Sequence, residues 1–136
     1  MTSTGELEQQ IRMSETPTVL TEKSYEAPSV VVYMNNLLYE HGLTVQDVIV
    51  GCNLSRSYVY QIFNGNRAPT RGFLLKLAFM LKLPEAEAQR LLKISGRQPL
   101  YARNRRDAAV LYGLTHGLTS DETENLLSSL DEGGLS

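Results

Sequence analysis

The sequence predicts an all-α protein, five short helices followed by a C-terminal helical hairpin. Large apolar residues recur at helical spacings of three and four between Ser29 and Leu130. Capping residues, glycines and prolines punctuate those runs where helices start and stop. No stretch alternates apolar and polar residues as a half-buried strand does. With 136 residues, 42% of them hydrophobic, the chain can bury a core.

Residues 1–28 are rich in Thr, Ser and Glu, poor in large apolar residues, and end in Pro28, which predicts a flexible acidic tail. A first helix follows, with Val30, Met34, Leu37 and His41 at helical spacing and Gly42 placed to stop it. Thr44 caps the second, Asp47 holding the reciprocal capping-box position and Val48, Ile49 and Cys52 facing inward. Asn53 and Leu54 turn into a third helix that begins at Ser55, and Asn64-Gly65-Asn66 breaks it. The fourth helix comes after Pro69 and carries Leu74, Leu77, Ala78 and Leu81. Pro84 fits the first turn of the fifth, with Ala88, Leu91 and Leu92 inward and Gly96 as its stop. A domain over residues 29–96 results. Residues 97–136 then add a sixth helix, Arg105 to His116, a seventh capped by Thr119 and Glu122 with Leu126, Leu127 and Leu130, and a short acidic tail. The string His-Gly-Leu-Thr recurs at 41–44 and 116–119, each time between a helix stop and a helix start, so its repetition has a local explanation and both histidines read as helix-end residues.

The net charge of −2 conceals segregation. Residues 1–53 hold seven acids and two bases (−5), residues 54–106 two acids and eleven bases (+9), and residues 107–136 six acids and no base (−6). A basic middle of this kind is the footprint of phosphate contact; mutual neutralisation of the blocks in the folded chain is the alternative. Nowhere do eighteen consecutive apolar residues occur, so no membrane span or secretion signal is expected. The single cysteine, Cys52, lies on an apolar helical face and reads as core filler in a reducing cytoplasm.

The segment Ser55 to Ala78, SRSYVYQIFNGNRAPTRGFLLKLA, is the most informative. Val59 and Ile62 fall on one buried face of the third helix, while Arg56, Ser57, Tyr60 and Gln61 turn outward. With the Asn-Gly break and the Pro that follow, this pattern resembles the second half of the lambda-repressor-like (XRE-type) helix-turn-helix, over about residues 30–95. The resemblance implies double-stranded DNA as partner, with the third helix in the major groove. It makes Arg56, Ser57, Tyr60 and Gln61 candidates for base contact and Asn64, Asn66, Arg67 and Arg71 candidates for phosphate contact. Arg can bond guanine O6 and N7 together and Gln adenine N6 and N7, each good pair discriminating by roughly 1–3 kcal/mol. Where the family commonly has Gln at the start of the second helix, a small Ala and a turn Gly, this chain has Val45, Ile49 and Asn53. Val45 removes a polar anchor, Ile49 implies a wider helix pair, and Asn53 tolerates a left-handed turn.

Leu38, Tyr39, Phe73 and Phe79 stand where family members commonly carry polar residues, and something must cover them. The C-terminal hairpin is the nearest cover, within its own chain or across a homodimer. The resulting expectation is a dimeric transcriptional regulator in the cytoplasm. A rival reading is a non-enzymatic interaction module, antitoxin-like or a kinase-associated adaptor, whose basic face holds an acidic or phosphorylated partner. Thr16, Thr18 and Thr21 in the acidic tail offer a kinase a route to regulation. No catalytic triad, metal cluster or phosphate-cradling Gly loop can be assembled, so neither enzyme activity nor a cofactor is expected.

Overall fold

The computed structural model describes residues 29–135. Its helices run in the order α1 Val30–Glu40, α2 Val45–Gly51, α3 Arg56–Phe63, α4 Arg71–Met80, α5 Glu85–Ile94, α6 Arg105–Thr115 and α7 Ser120–Ser129. The described residues contain no strand, as the spacing of apolar residues predicts.

Local chemistry sets the helix boundaries. Thr44 and Asp47 form the expected capping box on α2, and Thr119 and Glu122 the one on α7. Ser55 caps α3 by accepting from the Tyr58 N–H. Thr70 and Asn104 cap α4 and α6, which the sequence reading did not single out. Pro84 takes the N-cap position of α5 instead of its first turn. Each described helix ends on a residue in the left-handed region, where two backbone N–H groups turn back onto the last carbonyls. Glycine fills four of these positions, and Asn53, Lys82 and Asp131 fill the others at φ 52°, 54° and 58°. The two His-Gly-Leu-Thr segments build the same junction. In each, the His ring Nδ1 donates to the carbonyl four residues back, Leu37 or Tyr112.

α4 is the centre of the molecule. Seven of its ten residues, Gly72, Phe73, Leu74, Leu75, Leu77, Ala78 and Phe79, are buried, so it needs neighbours on nearly every side. It packs against α2, α5 and α7. The core runs unbroken from Met34 and Val48 through Ile62, Leu77 and Leu91 to Val110, Leu127 and Leu135, and full burial of each such side chain stabilises by roughly 1.5–3 kcal/mol. α6 comes close because Gly113 has no side chain: a Cβ there would lie 2.4 Å from Thr123 Oγ1 and 3.2 Å from the Phe79 ring.

Three of the four surplus apolar residues are covered within the chain. Leu38 and Phe73 are 3% exposed and Phe79 6%, with Phe73 edge-on to the Tyr58 and Phe63 rings. The hairpin covers Phe79. Tyr39 departs from the expectation, since it is 85% exposed one position beyond the buried Leu38, where the helix has turned it by about 100°, away from the core. Cys52 is buried, and burial pushes its thiol above its ordinary pKa while the Lys76 charge opposes the shift.

Candidate nucleic-acid interface

α2 and α3 pack on each other through a turn of Cys52 to Ser55. Asn53 makes that turn at φ 52°, and the N–H groups of Asn53 and Leu54 bond the carbonyls of Val50 and Ile49. The left-handed tolerance expected of Asn53 is therefore used. Val59, Ile62 and Phe63 anchor α3 in the core at 0%, 0% and 5% exposure. Arg56, Ser57 and Gln61 lie exposed on the opposite side, with Tyr60 half-buried beside them.

These outward side chains hold one another. The Arg56 guanidinium lies 5.3 Å from the Tyr60 ring centre and donates to Gln46 Oε1 at 3.3 Å. Gln61 Nε2 donates to Ser57 Oγ at 3.3 Å. Sequence reasoning missed Gln46, which is exposed on the first turn of α2; its signal was a polar side chain beside Val45. Asn64, Gly65, Asn66 and Arg67 follow in an exposed loop, closed where the Asn66 and Arg67 N–H groups both bond the Gln61 carbonyl. Arg67 stacks 5.2 Å from the Tyr58 ring centre. A cleft between α3 and α4 is bordered by Arg67, Tyr58, Thr70 and Lys76, the last another cation not singled out from the sequence.

Arg71 stands elsewhere. Its guanidinium is turned to the segment between α5 and α6: Nη1 and Nη2 donate to the two Asp107 carboxylate oxygens at 3.0 and 2.9 Å, Nε to the Gln98 carbonyl at 2.9 Å, and Nη2 also to the Pro99 carbonyl at 3.1 Å. Asp107 is only 6% exposed, and an unpaired carboxylate there would be costly. Burial pushes its carboxyl up, but the hydrogen bonds from Arg71 and the Tyr101 N–H, with the charges of Arg71 and Arg106, outweigh burial and hold it below the ordinary Asp value. Arg105 reaches Glu132 at 3.8 Å, and Arg106 donates to the carbonyls of Gly133 and Gly134. Part of the basic middle thus neutralises or binds the C-terminal segment, while Arg56 and Arg67 stay with the outward face of α3 and its loop.

Two short helices joined by a tight turn, the second presenting a polar and cationic face, define a helix-turn-helix unit. A family model described as a helix-turn-helix domain matches residues 20–91, and the chain belongs to that family, whose fold is one that DNA-binding regulators carry. The match ends within α5, so α6 and α7 lie beyond it. No curated protein and no solved structure matches the chain. Among the described residues, no helix is long and apolar enough to cross a membrane.

Proposed function

We propose that this protein is a sequence-specific transcriptional regulator of the lambda-repressor-like (XRE-type) class, acting in the cytoplasm and reading the DNA major groove with α3. Arg56, Ser57, Tyr60 and Gln61 contact base edges, and Asn64, Asn66 and Arg67 hold the backbone. The observation that carries this reading is the single outward face of α3, whose four polar groups are pre-set by contacts among themselves and with Gln46 while the opposite face is locked in the core. A side chain already held in place loses less freedom on binding. Arg71 is left out of the phosphate set because Asp107 and two carbonyls occupy its donors. Two copies present α3 to half-sites about 34 Å apart, one turn of DNA. Tyr39 is a large apolar side chain left open for the contact between them.

The test is selection of bound duplexes from a random pool, followed by titration of the selected and a scrambled duplex across salt concentrations. Enrichment of one motif, bound roughly a thousandfold or more tighter than scrambled DNA, supports the reading. Equal, purely salt-dependent binding of every duplex would instead favour the interaction module with an acidic or phosphorylated partner.

A further inference from the structure

We propose that the segment between α5 and α6 is a buttress that fixes the loop after α3, and that Arg71 and Asp107 are positioning residues for DNA binding; this rests on the reading of α3 and its loop given above. Residues 97–104 have no regular structure apart from turns, so side chains satisfy much of their backbone. Gln89 of α5 uses both ends of its amide on Leu100, accepting from its N–H at 2.7 Å and donating to its carbonyl at 2.9 Å. Leu100 itself is 6% exposed, which ties the segment to the core. The Tyr101 N–H donates to Asp107 at 3.0 Å.

From this fixed segment, connections run to both sides of Thr70 at the end of the loop. Arg97 Nε donates to the Pro69 carbonyl at 2.9 Å. Arg71, first residue of α4, bonds Gln98, Pro99 and both oxygens of Asp107. The loop carrying Asn64, Asn66 and Arg67 is thereby held at its start by the end of α3 and at its finish by a network anchored in α5 and α6. A guanidinium fork with four acceptors is a directional clamp that a lysine cannot reproduce, although a lysine keeps the charge. The C-terminal hairpin supplies Asp107, so it takes part in setting the geometry of the loop while lying outside the helix-turn-helix unit.

The experiment uses the full chain with Arg71→Lys and, separately, Asp107→Asn, each checked for retained helicity by circular dichroism. Amide hydrogen exchange is followed at Gly65, Asn66 and Arg67, with Val48 of α2 as internal reference. Affinity for the selected duplex is measured across salt concentrations. The expected result for both variants is loss of exchange protection at the loop amides relative to Val48. Binding weakens by roughly two- to thirtyfold, with the salt slope unchanged. Wild-type protection and affinity in both variants would overturn the proposal. So would tighter binding with a steeper salt slope in Asp107→Asn, because Arg71 would then be a phosphate ligand held back by the carboxylate. If wild-type protein selects no duplex, the DNA reading fails by itself, and loop exchange still decides whether the buttress exists.

Discussion

Lys82 ends α4 in the left-handed region at φ 54° without being a glycine, a conformation costing a side-chain-bearing residue roughly 1–2 kcal/mol. Lys82→Gly is expected to stabilise the protein by about 1 kcal/mol in urea unfolding, the relief of strain exceeding the added entropy of the unfolded chain. Gly113→Ala is expected to do the reverse. Its methyl would fall 2.4 Å from Thr123 Oγ1 against the Phe79 ring, and overpacking of this kind costs roughly 1–3 kcal/mol, more than the gain in helix propensity. Gly42, Gly65 and Gly96 were legible as stops because glycine announces its backbone freedom. Lys82 and Asp131 do the same work with residue types that carry no such signal. Gly113 reads from sequence as an ordinary weak spot in a helix, and only its proximity to Phe79 and Thr123 explains it.

At the scale of elements, legibility followed sequence separation. The capping boxes Thr44/Asp47 and Thr119/Glu122 were readable because their partners lie three residues apart. Thr119→Ala should therefore lower stability by about 1 kcal/mol in denaturant titration. The outward face of α3 was readable for the same reason, its period being local. The pairing of Arg71 was not: its partner Asp107 is 36 positions away, and the sequence offered Arg71 only as a candidate for phosphate contact. That link between α4 and α6 has a pH signature. Because the Asp107 carboxyl is held below its ordinary value, the pair contributes fully above the unfolded Asp pKa of about 3.9 and is lost as pH falls through the lower folded value. Acid unfolding of wild type should accordingly show a stability loss below about pH 4 that is reduced in Asp107→Asn; equal acid dependence in the two proteins would contradict the pairing.

Across the whole molecule, the segregation of charge was visible in the sequence, but not where it would be used. Arg71, Arg105 and Arg106 turn to the C-terminal segment, and Arg56 and Arg67 remain on α3 and its loop. The expectation that surplus apolar residues need cover held for Leu38, Phe73 and Phe79, each buried within its own chain, whereas Tyr39 is exposed. Sedimentation is expected to give twice the 15.2 kDa of one chain at micromolar concentration, and Tyr39→Glu to shift it towards the single chain; a monomeric wild type would exclude the proposed dimer under those conditions. Thr16, Thr18 and Thr21 and the acidic segment around them lie outside the described residues. An acidic segment near a basic face competes with phosphate, so deleting residues 1–27 should tighten binding to random duplex at low salt. The central claim is that α3 reads sequence while its loop grips the backbone, and paired titrations of Arg56→Ala and Arg67→Ala on the selected duplex and its single-base variants test it most directly. Arg56→Ala should cost roughly 1–3 kcal/mol on the preferred duplex and relax the preference at one base pair, whereas Arg67→Ala should weaken all duplexes nearly equally and lower the salt slope by about one. Wild-type affinity, preference and salt slope in both variants would contradict the account.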